Sequence, residues 1–448
     1  MKKYESTEIY SSAVCNLNCI YCYIPKVKSL KISEREIIEQ IENGEYIKKI
    51  KSVCPDLENL SLWGAEPTIT LPIVGDHLPD FFDVFKNLKT IMFSTNLIKE
   101  PDVILDFIKK IPEDREVELK IQFSIDGHEE ITDKNRGKGT TNKISKNIRN
   151  LAFMLNDVTR ENLHITLHTK VTWTMENIKY FYEDLERLNH SYDFFKKLDD
   201  DLSRINTNKN VKYEIVYWGN VELPGKYTLE DSKIFTKLCK ECFYTDRNWT
   251  QMPLSSFIFS LKKAICLSSY LYTKHAMFTC SAGDSQVGIG VDGYHLCHRT
   301  YTFYLDEIKK FEECNVDFCY GKIIIRNENM SKDIHRFSYV NSGYHNFLKL
   351  EINSAIMLIY ELAKIGEILP KYLEYKNAYL LALMFTCCFT CPVEYFLEHK
   401  TYYIPNIPLL RLLGNGALDI FLDYMKKTIE RNEDKIKVWT LEIPKVRY

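Results

Sequence analysis

The 448-residue chain has no strong excess of charge and no long apolar segment. Its 59 Lys and Arg residues nearly balance its 61 Asp and Glu residues, and the formal net charge is −2. This balance gives no electrostatic argument for nucleic acid as the main partner, although a tRNA substrate stays open. The longest uncharged stretch, Asn377 to Val393, is shorter than the ~20 residues needed to span a bilayer. We therefore expect neither a nucleic-acid-binding module nor a membrane protein.

The amino terminus shows no secretory signal. Met1 and two lysines are followed by the polar residues 4–8 and not by an apolar run. Fourteen cysteines in a chain without an export signal favour a reducing compartment, with metal binding in place of disulfides. We expect a cytoplasmic protein. The length allows two domains, or one large domain with an extension.

Residues 15–23 read CNLNCIYCY, with cysteines at Cys15, Cys19 and Cys22. Three thiolates can hold three irons of a [4Fe–4S] cluster and leave the fourth iron open to another ligand. The alternatives are a structural zinc site or buried free thiols. A zinc site needs a fourth ligand at comparable spacing, and no Cys or His follows closely. The spacing favours the iron–sulfur interpretation.

The first half of the chain alternates strand-like and helix-like segments. Helices are predicted at residues 33–49 with a Ser33/Glu36 capping box, and at Asp80 to Leu88, Val103 to Ile111, Asn142 to Leu155 and Met175 to Leu188. Strands are predicted at Glu8 to Val14, Leu60 to Trp63, Thr90 to Ser94, Val117 to Ile125, Leu163 to Val171 and Val211 to Tyr217. The polar run from Asp199 to Asn210 is expected to form a surface loop. This alternation predicts an α/β fold with a parallel sheet and right-handed crossovers.

A second motif follows the second predicted strand, where residues 64–67 read GAEP. Small residues allow a ligand to approach the backbone closely, and the carboxylate of Glu66 can accept hydrogen bonds from an ammonium group. The alternative is an ordinary strand-to-helix turn. Like the cysteines, this motif lies at a strand's end, where the sites of barrel-like α/β proteins assemble.

Together, the cysteine spacing, the aromatic residue Tyr21 and the GAEP motif resemble the radical S-adenosylmethionine (SAM) superfamily. The resemblance implies a partial (β/α)6 barrel over residues 1–220. It also implies a [4Fe–4S] cluster on Cys15, Cys19 and Cys22 whose open iron is chelated by SAM. In the family Glu66 would hold the SAM amino group. The usual motif is Gly-Gly-Glu-Pro, so Ala65 is a departure.

Residues 124–127 (SIDG) and 133–137 (DKNRG) look like the fourth-strand region of peptide- and protein-modifying members. By that resemblance Ser124 or Asp126 would contact the SAM ribose, and Arg136 the SAM carboxylate. Thr95 and Asn96, after the third strand, are similar candidates. An Asp-Gly pair alone is more often a simple turn.

The carboxyl-terminal cysteines resemble a SPASM or twitch extension, which binds auxiliary [4Fe–4S] clusters. We assign residues 221–279 to a linker and 280–448 to this extension, with a strand–turn–strand at Asp292 and Gly293. One auxiliary cluster is expected on Cys280, Cys297, Cys388 and Cys391, with Cys387 able to replace Cys388. Further ligands could come from a second set, although buried thiols are the commoner use: Cys239, Cys242, Cys314 and Cys319.

The resemblance implies an enzyme that modifies a peptide or protein side chain, as ribosomal-peptide maturases and anaerobic sulfatase maturases do. Its expected partners are the peptide or protein substrate and a reductant such as flavodoxin or ferredoxin. Because the core begins at once, a leader-recognition domain, if needed, is expected on a separate chain. The alternatives are a small-molecule radical SAM enzyme and a non-enzymatic iron–sulfur electron-transfer or zinc-stabilised binding protein.

Overall fold

The computed structural model describes residues 4–22, 24, 33–222, 228–244, 286–291, 293–295, 344–387, 407–420 and 422–423. In these ranges it has eight strands: β1 (Ser6–Ser12), β2 (Asn59–Gly64), β3 (Thr90–Thr95), β4 (Val117–Ser124), β5 (Leu163–Thr174), β6 (Val211–Glu222), β7 (Gln286–Gly290) and β8 (Gly293–His295). All six strands predicted for the first half are present, with their ends shifted by a few residues.

Helices follow each of the first six strands. They are α1 (Glu34–Glu42), α2 (Glu45–Val53), α3 (Leu71–Asp76), α4 (Leu78–Val84), α5 (Asp102–Lys109), α6 (Glu129–Arg136), α7 (Thr140–Leu155), α8 (Met175–Glu183), α9 (Leu185–Ile205) and α10 (Leu229–Tyr244). A 3-10 turn, Pro67–Ile69, lies between β2 and α3.

The strands form one sheet in the order β6-β5-β4-β3-β2-β1-β7-β8. Every neighbouring pair is parallel except β7 and β8, which pair antiparallel. The first six strands therefore stand in chain order, as successive right-handed crossovers require. The predicted α/β fold with a parallel sheet is confirmed, and it is consistent with a TIM-like partial barrel.

One face of the sheet is apolar and packs against the helices. Ile9, Leu62, Phe93, Ile121 and Leu167 are direct partners across β1 to β5, and none of them is more than 1% exposed. Burying each such side chain contributes about 1.5–3 kcal/mol. This row therefore fixes the strand register, and with it the position of every residue at the strands' carboxyl ends.

The expected strand–turn–strand around Gly293 is present as the β7–β8 hairpin, which extends the sheet beyond β1. A buried lysine fixes its turn to α2. Lys49 Nζ donates to the carbonyls of Gly290 (3.2 Å) and Val291 (2.8 Å) and to Gln40 Oε1 (2.7 Å). Three acceptors around one ammonium group offset the cost of burying its charge.

Three local predictions are wrong. The predicted helix from Met175 to Leu188 ends at Glu183, because the backbone of Asp184 is extended and caps α9. The capping box at Ser33 is confirmed, but the helix breaks at Gly44, whose φ of 68° is left-handed, into α1 and α2. The expected loop from Asp199 is mostly helical, because α9 continues to Ile205. Phe195, Leu198 and Leu202 are buried along one face of α9, and this apolar face outweighs the polar residues between them.

Three helices lie towards the carboxyl terminus, at Tyr344–Lys364, Tyr375–Cys387 and Ile407–Leu412. Ile359, Tyr372, Leu381 and Leu410 belong to their shared apolar cluster. Among the described helices, none combines the length and apolar character needed to cross a membrane. The predicted domain boundaries stay predictions.

Candidate functional site

The three amino-terminal cysteines lie on a loop that begins where β1 ends. Cys15 is exposed, whereas Cys19 and Cys22 are half-buried. The amide of Cys22 donates to the carbonyl of Cys19 (3.0 Å) and makes a tight turn. Glu34 holds the start of the loop by accepting hydrogen bonds from the Ala13 amide and the Ser12 hydroxyl.

Burial raises the pKa of both Cys15 and Cys19. The negative charge of Glu66 raises the pKa of Cys15 further, while the guanidinium of Arg136 lowers that of Cys19. Thiols with raised pKa values stay protonated at neutral pH. Binding of iron to these thiols would therefore release protons, and its affinity would rise with pH.

Glu66 is the residue that caps the 3-10 turn after β2, and it is 2% exposed. Its Oε1 accepts hydrogen bonds from the Thr95 hydroxyl (2.7 Å) and from the hydroxyl and amide of Thr68, and its Oε2 accepts from the Asn96 amide (2.8 Å). Burial raises the pKa of Glu66, although these hydrogen bonds lower it in part. The result is a rigidly oriented carboxylate at the strands' carboxyl ends.

Asn96 connects this carboxylate to the cysteine loop. Its side-chain amide donates to Asn16 Oδ1 (2.6 Å) and lies 3.6 Å from Cys15 Sγ. Thr95 and Asn96 follow β3, which neighbours β2 in the sheet. The predicted residues Glu66, Thr95 and Asn96 thus form one continuous hydrogen-bonded group with Cys15.

A second group forms beyond β4, around the fully buried carboxylate of Asp126. Arg136 donates to both of its oxygens, from Nε and Nη2 at 2.9 Å each. Three further donors reach it: the Tyr21 hydroxyl (2.8 Å), the Thr172 amide (2.9 Å) and Asn135 Nδ2 (3.2 Å). The structure therefore places Tyr21, Asp126 and Arg136 together, on the Cys19 side of the loop.

Charges inside this second group support one another. Burial alone would lower the pKa of Arg136, but the charge of Asp126 raises it, so the guanidinium stays charged. Burial raises the pKa of Tyr21 well above its ordinary value, and its hydroxyl stays protonated. The Arg136 guanidinium carbon lies 5.4 Å from the centre of the Tyr21 ring, in a cation–π arrangement.

Ser124 ends β4 and is half-buried. Within the described part of the chain its side chain makes no hydrogen bond to Asp126 or Arg136. The predicted auxiliary ligands Cys280, Cys297, Cys388 and Cys391 lie outside the described residues, and so do Cys314 and Cys319. Cys387 is the last residue of its helix, and Cys239 and Cys242 lie in α10.

No group of three His, Cys, Asp or Glu side chains converges on a single ion site within the described ranges. The three cysteines are close enough to interact electrostatically, because Cys19 raises the pKa of Cys15 and Cys22 raises that of Cys19.

The face of the sheet opposite the apolar core is polar, and sequence reasoning did not identify it as functional. Gln122, His168 and Glu214 are direct partners on β4, β5 and β6. Lys170 Nζ lies 6.0 Å from the centre of the Trp63 ring, although β3 and β4 separate their strands. The sheet must therefore curve strongly, which brings these side chains together on its concave side, here called the chamber. Polar residues at every second position of β4 and β5 were the available signal.

Gln122 occupies the centre of this chamber wall and is 1% exposed. Both polar atoms of its amide have no hydrogen-bond partner among the described residues. An unsatisfied buried amide costs about 1–3 kcal/mol. A buried amide of this kind needs a partner such as a water or a ligand.

The chamber predicts a specific loss of stability in acid. Burial lowers the pKa of His168 from 6.5 to about 4; Glu214 opposes this shift, while Lys120 and Lys170 add to it. Because the unfolded chain takes up this proton near pH 6.5 and the folded chain only near pH 4, stability falls as the pH drops between these values. At pH 5 we expect a loss of about 2 kcal/mol, measurable by urea unfolding at pH 7 and pH 5.

The matched control is His164, which is exposed on the same strand. His168→Gln should make the unfolding free energy less dependent on pH, whereas His164→Gln should leave the dependence as in the wild type. Equal pH dependence in wild type and His168→Gln would show that His168 does not cause the acid loss.

Two solved structures have a similar fold. One, native anSMEcpe with bound AdoMet, has a TM-score of 0.51 and 16% identity over 96% of this chain and 100% of that chain. The other, hexahistidine-tagged anSMEcpe with bound AdoMet, has a TM-score of 0.50 and 17% identity over 95% and 98%. The chain shares its fold with anSMEcpe. No protein-family model matches the chain, and no curated protein matches its sequence.

Proposed function

We propose that the chain is a radical SAM enzyme that cleaves SAM reductively and modifies a side chain of a peptide or protein. The observation that carries the proposal is the gathering of Glu66, Asn96, Tyr21 and Arg136 around the three-cysteine loop at the carboxyl ends of β1 to β4. The similar fold of anSMEcpe, whose solved structures contain bound AdoMet, supports it.

The donor set of the loop fits an open [4Fe–4S] cluster. Cys15, Cys19 and Cys22 supply three thiolates, each for a different iron, so their sulfurs need not converge on one ion. Three thiolates leave one of the four irons of a cubane without a cysteine from this loop. One iron would then be left for a ligand that is not part of the protein, which a closed electron-transfer centre would not provide.

The surrounding side chains fit the polar groups of SAM. Oε1 of Glu66 already accepts three hydrogen bonds, but Oε2 accepts only one from the described residues and can accept another from the ammonium group. Arg136 can donate to the SAM carboxylate from Nη1, which donates to no described residue. A cluster held by Cys15, Cys19 and Cys22, with SAM held by Glu66 and Arg136, would supply the one-electron reductive cleavage of SAM and the radical chemistry on the substrate. The protein's own task is to orient SAM and to exclude water.

The concave chamber below this site is our candidate for the substrate. Its polar wall, with Gln122 and His168, can donate to and accept from the amides of a peptide, and Trp63 offers an apolar surface. A small-molecule enzyme would turn over without any peptide present, which separates the two interpretations. A reductant such as flavodoxin or ferredoxin is the further partner we propose.

One auxiliary [4Fe–4S] cluster remains part of the proposal. Its expected ligands are Cys280, Cys297, Cys388 and Cys391, with Cys387 as the substitute for Cys388. About eight irons per chain after reconstitution would support one auxiliary cluster, and about twelve would support a second.

The deciding experiment is anaerobic reconstitution of the full chain with iron and sulfide, followed by reduction with dithionite in the presence of SAM. We expect a reducible [4Fe–4S] signal by electron paramagnetic resonance and formation of 5′-deoxyadenosine. Tight binding of zinc with no iron–sulfur signal, or a cluster that never cleaves SAM, would contradict the proposal.

Glu66→Gln should weaken SAM binding while the fold persists. The amide keeps the size of the side chain and one acceptor, but it removes the charge that faces the SAM ammonium group. Losing one charge-assisted hydrogen bond corresponds to about a tenfold or greater rise in the SAM dissociation constant. Titration calorimetry on the reconstituted protein measures it.

Asp133→Asn is the matched control. Asp133, like Glu66, accepts from two hydroxyls and two backbone amides, in this case of Gly139, Thr140 and Thr141, but its hydrogen bonds fix the α6–α7 turn. The SAM dissociation constant of Asp133→Asn should stay near that of the wild type. Equal weakening by both variants would mean that Glu66 acts only through the fold.

A further inference from the structure

Asp126 has no capacity left for a ligand. An ionised carboxylate offers about four lone-pair sites, and five protein donors already reach its two oxygens. The residue is also 0% exposed. A ribose hydroxyl could bind there only by displacing a donor, so a role other than contact with SAM has to explain this arrangement.

The donors to Asp126 come from three separate parts of the site. Tyr21 belongs to the cysteine loop, Asn135 and Arg136 end α6, and Thr172 belongs to β5. The loop meets α6 at a second point, because the amide of Ile20 donates to the carbonyl of Asn135 (2.9 Å). Both contacts lie between Cys19 and Cys22, so they fix the part of the loop that carries two of the three thiols.

The pairing of Asp126 with Arg136 also fixes the orientation of the Arg136 guanidinium. A guanidinium is planar, and the edge formed by Nε and Nη2 is taken by the carboxylate. Nη1, on the other edge, donates to no residue in the described ranges, and the side chain is 6% exposed. With one edge fixed, the remaining N–H groups can point in only one direction from the carboxyl end of α6.

We propose that Asp126 is a positioning residue: it fixes the guanidinium of Arg136 and the hydroxyl of Tyr21, and thereby orients the anion-binding edge of Arg136 and the cysteine loop, without contacting SAM itself. This inference rests on the proposed function, since it assigns the role of one residue in the same site. It replaces the expected contact between Asp126 and the ribose.

The test is a cycle that combines protein variants with ligand analogues. SAM and its 2′-deoxy and 3′-deoxy analogues are titrated into reconstituted wild type and Asp126→Asn, and the four dissociation constants of each cycle are compared. A positioning role predicts about a tenfold weaker binding of SAM to the variant, with the same factor for both analogues. If the loss disappears with either analogue, Asp126 contacts the ribose and the inference is wrong.

Tyr21→Phe is the second variant, because loss of a buried carboxylate can prevent folding. It removes a single hydroxyl and keeps the ring beneath Arg136. We expect at least about a threefold weaker binding of SAM and incomplete cluster loading, the latter measured as iron and sulfide per chain. Wild-type values of both in Tyr21→Phe would overturn the proposal, whether or not Asp126→Asn folds.

Asp201→Asn is the control for the loss of an Arg–Asp pair as such. Asp201 of α9 accepts from Arg149 Nε (3.1 Å) and Nη2 (2.8 Å) and from Arg204, and from no other described residue. It should alter neither SAM binding nor iron content, and an equal effect there would overturn the proposal. If wild type itself binds no cluster and no SAM, the proposed function fails first, and the positioning role fails with it.

Discussion

Replacing Cys15, Cys19 or Cys22 with alanine is expected to abolish SAM cleavage. Each change leaves two thiolates for a cluster that needs three, and two cannot hold a cubane with one open iron. Iron content should fall by about four atoms per chain, and no 5′-deoxyadenosine should form after reduction. Cys15 is exposed and Cys19 and Cys22 are half-buried, so the fold should survive each change.

The control for a missing thiol is Cys54→Ala. Cys54 is fully buried, its Sγ donates to the carbonyl of Tyr4 (2.7 Å), and burial raises its pKa to about 12. A thiol that is enclosed in the core and bonded to a backbone carbonyl has no open side for a metal ion. This variant should lose some stability but keep its iron and its SAM cleavage. Unchanged 5′-deoxyadenosine in any of the three loop variants would contradict the proposed function.

The iron count also separates the two kinds of cluster. If the auxiliary cluster forms, each loop variant should retain about four irons that cannot cleave SAM. If no auxiliary cluster forms, the same variants should retain none. The loop variants therefore test the carboxyl-terminal cysteines without any change to them.

The sheet and the strand ends could be predicted from the sequence because their signals are local. Alternating apolar residues define β2 and β4, and the turn residues Gly64 and Gly127 mark where these strands end. The candidate residues lie at these strand ends. Parallel strands bring their carboxyl ends to one edge. That rule alone places Glu66, Asn96 and Asp126 near the cysteine loop.

Other features depend on contacts between residues that are distant in the sequence, which local patterns do not show. The five donors to Asp126 are up to 105 residues away along the chain, so the local sequence could not show how this carboxylate is satisfied. The helical state of residues 199–205 depends on packing of α9, which local polarity opposes. The charge state of His168 likewise depends on burial and on charges from neighbouring strands.

Gly64→Ala is expected to disrupt both the sheet and the site. Gly64 has a φ of 138°, and an added Cβ would lie 2.2 Å from the carbonyl oxygen and 2.8 Å from the amide nitrogen of Ser12. Backbone atoms cannot move aside as a flexible side chain can, so β1 must separate from β2. We expect a loss of about 3–5 kcal/mol in unfolding free energy, measured by urea denaturation.

The same displacement should reach the cysteine loop. Ser12 O also accepts the amide of Ala65 (2.8 Å), and Ser12 is three residues before Cys15. Gly64→Ala should therefore lower cluster loading even under conditions where the protein stays folded, as iron per folded chain would report.

Gly44→Ala provides the comparison, because it makes the same substitution at a left-handed φ with nothing within 4 Å of the added Cβ. Only backbone strain opposes it, which amounts to about 1–2 kcal/mol, and cluster loading should not change. The difference between the two variants isolates the steric contact with Ser12 from the cost of the backbone conformation. If the two variants lost equal stability and equal iron, the close approach of β2 to Ser12 would have no role in holding the loop.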